Sequence, residues 1–63
     1  MVGICKVWNR NSGYGFIQGM DGVNYFVHHN DLIDSHNLSI NRVVEYDAQY
    51  TTKGAQARNV RHA

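Results

Sequence analysis

No stretch of this sequence keeps an apolar period of 3.6 long enough to fold as a stable helix, and that constrains the fold more than any other feature. Short β-branched and aromatic runs stand in its place, separated by glycine- and asparagine-rich breaks, and proline is absent. The first run is Val2 to Trp8, and Asn9-Arg10-Asn11-Ser12-Gly13 breaks it. The second, Tyr14 to Gln18, ends in Gly19-Met20-Asp21-Gly22, whose Asp-Gly pair is a strong turn signal. Val23 to His28 is the third run and Val43 to Tyr50 the fourth. Thr51 to Gly54 reads as a hairpin loop, and Ala55 to Arg61 is the fifth run. Between the third and fourth runs, Asn30 or Asp31 is placed to cap one helical turn that carries Leu32 and Ile33 inward.

Five strands with a long connection between the third and fourth match a familiar solution. A three-strand meander packs against a hairpin and closes into an all-β, five-stranded antiparallel OB-fold barrel. Closure hides sheet edges, which a chain of 63 residues can hardly leave open. One domain over residues 1–63 is expected, with a core covering only about 60% of the surface the unfolded chain exposes. Cys5 is the lone cysteine, so no disulfide within the chain can help. It reads as a small buried hydrophobe in a reducing compartment. No targeting run and no segment of transmembrane length is found, so the expectation is a cytoplasmic chain with no membrane partner.

Alternation along the runs separates a dry face from a wet one. In the fourth run Val44, Tyr46, Ala48 and Tyr50 alternate with Glu45, Asp47 and Gln49, so the apolar set is expected to point inward. The second and third runs differ. Tyr14 and Phe16 lie opposite Gly15 and Ile17, and Phe26 and His28 lie opposite Tyr25 and Val27, so both faces are apolar or aromatic. A chain this short has no second layer to cover the ring-bearing face, which is therefore expected to be exposed for use. Gly15, between the two rings, would let the strand curl, and Gly13 would let the loop enter it at an unusual backbone angle.

The formal net charge of +1 argues against a purely electrostatic nucleic-acid binder. The pair His28-His29, with His36, His62 and Cys5, fits no closed zinc pattern, and adjacent strand residues point to opposite faces. No metal or other cofactor is expected. A nuclease built on His28 or His29 with Asp31 lacks a paired base and acid with an oxyanion donor, so no enzyme activity and no small-molecule substrate is expected.

Two motifs then converge. "GYGFI" (Gly13 to Ile17) and "YFVHH" (Tyr25 to His29) resemble the two short ribonucleoprotein motifs of the cold-shock domain family, which read Gly-Phe-Gly-Phe-Ile and Val-Phe-Val-His-Phe there. Gly3, Lys6 and Asn9 fit the family's first strand, and Leu38, Val44 and Tyr46 its later part. Lys53 to Val60, "KGAQARNV", resembles its Arg-Gly-Pro-Gln-Ala-Ala-Asn-Val ending. The resemblance implies an OB-type barrel that binds single-stranded RNA or DNA with bases stacked on exposed rings, and a monomer or a weak or domain-swapped dimer is expected. Carried over by position, it makes Tyr14, Phe16, Phe26 and His28 the stacking platform. Lys6 and Trp8 flank it, His29 stands at a position where the family often has Phe, and Gln56 and Arg58 border it from the last hairpin.

This sequence departs from the family pattern at several points. The family usually has Trp at the Val7 position followed by Phe, whereas here the ring is at Trp8, either as a displaced platform or packed against the barrel end. Ser35 and His36 stand near the place of a further family aromatic, Ser12 replaces a common Lys, and Ala55 replaces Pro. Arg58 and Val60 share parity although the family puts the Val inward, so either a bulge intervenes or Arg58 sits at the rim. Each stacked base contributes roughly 1–3 kcal/mol. Three or four platforms, less the ordering of a flexible strand, give an expected dissociation constant between about 10 µM and about 10 nM. Lys6, Arg58, Arg10 and Lys53 are the candidate phosphate contacts, and salt dependence should be shallow, on the order of −0.7 per contact. The alternative is a small barrel that uses the same aromatic face as a protein-docking surface.

Overall fold

The computed structural model describes all residues 1–63. Five strands form it: β1 (Val2–Asn9), β2 (Tyr14–Gly19), β3 (Asn24–His28), β4 (Val43–Thr51) and β5 (Gly54–His62), with one 3₁₀ turn, η1 (His29–Asp31), after β3. They close into a barrel in the order β1-β2-β3-β5-β4. The meander β1-β2-β3, the hairpin β4-β5 and the β1-β4 seam are antiparallel. The last seam, β3 against β5, is parallel and carries one residue pair, Phe26 opposite Gln56. The expected OB-type barrel is the fold observed, with each strand within a residue or two of its run.

The core contains Cys5, Ile17, Tyr25, Val27, Leu38, Val44, Tyr46, Ala57 and Val60. It draws one face from each strand, as alternation requires. Burial pushes the Cys5 thiol pKa up, and its bond to the Val7 carbonyl offsets this only in part. Two register shifts adapt the strands to closure. On β1, Cys5 pairs with Ile17 but Val7 pairs with Phe16, so Lys6 is an extra residue. On β5, Arg61 pairs with Glu45 but Arg58 pairs with Asp47, and Asn59 between them has φ 53°. This bulge settles the parity conflict of the last strand. Ala57 and Val60 both face inward, three positions apart, and Arg58 faces out.

Glycine is required at two places on the way to the ring face. Gly13 has φ +70°. A Cβ on Gly15 would collide with the Val7 carbonyl oxygen, so it is the close approach of β1, more than curling of β2 alone, that needs a bare backbone here.

Three expectations are corrected. The cap of the helical turn is the His28 side chain, whose Nδ1 accepts from Asn30 N–H at 3.2 Å, not Asn30 or Asp31. Leu32 packs against the core, but Ile33 is 60% exposed, because a three-residue turn directs only one of two adjacent side chains inward. Tyr50 is 68% exposed, because it sits beyond the point where the β4 face meets the core. Its ring lies 6.1 Å from that of Tyr25 at the barrel end.

That end is a polar cluster. The Tyr25 hydroxyl donates to Asp21 Oδ2 at 2.5 Å and lies 2.9 Å from the Tyr50 hydroxyl. The carboxylate, then the second phenol, raises the Tyr25 pKa, and the Tyr25 hydroxyl in turn holds Asp21 below its usual range. Burial pushes the Tyr46 phenol up to about 12, and its hydroxyl has no partner. A phenol raised by folding stabilises the barrel fully below the ordinary tyrosine pKa near 10. That contribution is lost as pH rises through the folded value. Two of the four tyrosines should therefore stay protonated past about pH 11 and ionise only together with unfolding. Tyrosinate absorbance followed beside circular dichroism tests this, and four ionisations near pH 10 with the dichroism unchanged would contradict it.

Candidate nucleic-acid interface

The aromatic face is built by register. Phe16 pairs with Phe26 and Tyr14 with His28, so all four project from the outer side of β2 and β3. Their neighbours Ile17, Tyr25 and Val27 occupy the core side. Tyr14 is 39% and Phe16 40% exposed, and Phe26 and His28 are half-buried. Phe26 lies at the centre. Its ring centroid is 5.8 Å from Tyr14 at 30° and 5.8 Å from Phe16 at 74°. Phe26 thus braces both neighbours, Tyr14 in a tilted contact and Phe16 edge-on.

His28 and His29 extend this row with ring centroids 4.3 Å apart and an interplanar angle of 35°. A backbone N–H can only donate, so the bond from Asn30 makes His28 Nδ1 an acceptor and puts its proton on Nε2. His29 is exposed and lies across Gly13, where any Cβ would strike its ring.

Trp8 is set apart from the row. The bulge at Lys6 pairs it with buried Gly15, and it packs half-buried against the core with Nε1 donating to Asn37 Oδ1 at 3.2 Å. The same bulge turns Val7, 51% exposed, to the outside opposite Phe16. An aliphatic side chain therefore holds the place beside the rings. Sequence reasoning treats Val7 only as a lost ring, and the bulge that exposes it has no local signature.

On the far side of the seam, Phe16, Phe26, Asn24, Lys53 and Gln56 line a recess of about 520 Å³. The two amides flank an aromatic floor. Asn24 lies outside the expected set of residues, although its parity with Phe26 places it on this face. Gln56 accepts from Arg58 Nη2 at 2.8 Å through Oε1, so its NH2 group is free. Arg58 itself is a brace. Its Nη1 donates to Asp31 at 2.9 Å and its Nε to Gln49 at 2.7 Å, tying η1, β4 and β5 together. Its expected reach to phosphate would break these bonds.

The charge balance hides an asymmetry. Every side-chain carboxylate is engaged: Asp21 with Tyr25, Asp31 with Arg58, Asp34 with His62, Glu45 with Arg61 and Asp47 with Asn59. Lys6, Arg10, Arg42 and Lys53 have no anionic partner. The cations left free include Lys6, the extra residue of the β1 bulge, and Lys53, which lines the recess with Phe16 and Phe26. No group of side chains is arranged to hold a metal ion, and no helix is long and apolar enough to cross a membrane.

Comparison with known proteins places this architecture. The family model described as the 'Cold-shock' DNA-binding domain matches residues 1–63. Cold shock protein 2 of Lactiplantibacillus plantarum is 37% identical over 60 residues, covering 92% of this chain and 91% of that protein. Cold shock protein CspC of Bacillus subtilis is 33% identical over 63 residues, covering 97% and 96%. Probable cold shock protein A of Mycolicibacterium smegmatis is 37% identical over 62 residues, covering 94% and 92%. With a five-stranded closed barrel, both ribonucleoprotein-like motifs and matches along nearly the whole of each relative in hand, the chain belongs to the cold-shock domain family of nucleic-acid-binding proteins.

Proposed function

We propose that this barrel binds single-stranded RNA or DNA by stacking unpaired bases on Tyr14, Phe16, Phe26 and His28. One observation carries the reading: two exposed rings, Tyr14 and Phe16, flank half-buried Phe26 on the outer side of strands whose opposite side is already the core. Rings there do nothing for folding that a polar residue would not do better, yet they suit the π-face that every base presents. Duplexes hide those faces, so unpaired strands are preferred. By mass action the protein holds melted segments open, which is the physical content of an RNA chaperone, with no catalytic step and no cofactor.

Lys6 and Lys53 supply phosphate contacts at the platform's edges, and Gln56 and Asn24 supply amides at its recessed end. Trp8 and Arg58 support the site from behind: Trp8 fixes Asn37, and Arg58 fixes Gln56 and Asp31. In the cytoplasm, where cysteine stays reduced, buried Cys5 serves only as packing.

Fluorescence anisotropy with a labelled oligothymidylate, the equivalent RNA and a matched duplex, each at two salt concentrations, tests the reading. Both single strands should bind at about 10 µM or tighter. The duplex should be at least about tenfold weaker, and the salt slope should be near −0.7 per phosphate contact. Equal binding to duplex, or no binding to either single strand, would refute it.

A further inference from the structure

Past the Tyr14–His28 end of the ring face lies a recess of about 250 Å³ with different chemistry. None of its lining residues is hydrophobic. Arg10 and Ser12 come from the β1–β2 turn, His29 from η1, and His36 and Asn37 from the long loop. The recess adjoins the platform directly. His29 N–H donates to the Gly13 carbonyl at 2.8 Å, Gly13 leads into Tyr14, and the His29 ring lies against that of His28. The resemblance described above leads one to expect stacking rings at and near these positions, and this chain has imidazoles there instead.

The groups on offer are donors. The Arg10 guanidinium and the rings of His29 and His36 have no hydrogen-bond or ion-pair partner in the protein. Asn37 Oδ1 is occupied by the Trp8 indole N–H, which leaves the amide NH2. The carboxylates nearest in sequence are committed elsewhere, Asp31 to Arg58 at 2.9 Å and Asp34 to His62 at 3.2 Å, and neither lines the recess. One fixed cation, two unpaired imidazoles, a hydroxyl and an amide line the recess, with no acidic group among them.

Resting on the stacking reading, we propose that this recess grips a backbone phosphate of the bound strand, and grips it more tightly as pH falls through the histidine range. Arg10 supplies the contact at any pH. Histidine side chains change charge between about pH 8 and about pH 5, so acidification adds positive charge at the recess. His29 and His36 are the imidazoles that line the recess, whereas His28 lies in the ring row with its Nδ1 accepting from the Asn30 N–H. His62 faces Asp34 across the C-terminal strand and stands outside the recess. A base stacked on Tyr14 and His28 has its phosphate drawn toward Arg10, so the recess extends the footprint by one nucleotide without a further ring.

Oligothymidylate is the probe, because thymine does not titrate between about pH 7.5 and about pH 5.5. Wild-type affinity should rise about three- to tenfold across that interval, and the salt slope should steepen by about 0.7 for each additional phosphate held. In the double variant His29→Gln/His36→Gln the ratio of the two affinities should fall to about one. A wild-type ratio near one with an unchanged slope would overturn the proposal and leave stacking intact, as would a double variant that keeps the acid gain. Absence of binding at either pH would overturn stacking, and the phosphate site with it. Should the double variant unfold, NMR of the wild-type histidine rings decides. Near pH 6, saturating oligothymidylate should raise the protonated fraction of His29 and His36, and no change in either refutes the proposal.

Discussion

Replacing Phe26 with alanine should weaken oligothymidylate binding by at least tenfold and leave the barrel folded. Phe26 is the ring that touches both Tyr14 and Phe16, so its removal opens the centre of the row and lets both neighbours lose their bracing contacts. Loss of one stacked base costs roughly 1–3 kcal/mol, which spans about five- to 150-fold, and the central position argues for the middle of that range or above. The fold should persist because Phe26 faces out and is only half-buried, with Tyr25 and Val27 supplying the core from the same strand. Titration by anisotropy beside a thermal melt reads both halves. A variant that melts cooperatively yet binds like wild type would remove the aromatic face from the interface. One that fails to fold would make Phe26 a structural residue.

Gly15→Ala should do the opposite, strongly destabilising the fold at a position that touches no ligand. A methyl group there would be driven into the Val7 carbonyl and crowd the Trp8 backbone, and neither can yield without separating β1 from β2. Overpacking of ordinary side chains costs about 1–3 kcal/mol, and a rigid backbone partner puts this case at the top of the range or beyond. A chain of this length has only about 3–9 kcal/mol of net stability. The variant should lose about 3 kcal/mol or more and melt about 12–24 °C lower. A melting point within a few degrees of wild type would show that the strands have room to separate.

Most of the barrel was legible because alternation needs only neighbouring residues. Val44 and Tyr46 point in and Glu45 and Asp47 out, as the pattern requires, and the two motif strands divide into a core side and a ring side. Alternation fails wherever closure inserts a residue. The extra Lys6 decides which of Val7 and Trp8 stands beside the rings, and the left-handed Asn59 decides that Arg58 faces out while Val60 faces in. Asparagine tolerates that backbone conformation, so the Asn between Arg58 and Val60 was a hint, though a permissive one. Tyr50 and Ile33 were misplaced for a related reason: their apolar character was visible, but the point where the core ends was not. The engagement of Arg58 with Asp31, Gln49 and Gln56 joins residues from three separate elements, which no local spacing encodes.

The single-pair seam between β3 and β5 has a mechanical consequence. Meander and hairpin meet there through Phe26 and Gln56, and the Arg58–Asp31 ion pair and the Leu32–Val60 bridge reinforce the contact. A nucleobase seated on Phe26 against Gln56, as proposed, would touch both halves at once and rivet the clasp shut. Cargo and container would then hold each other closed, each occupied site stiffening the joint with the fewest strand pairs.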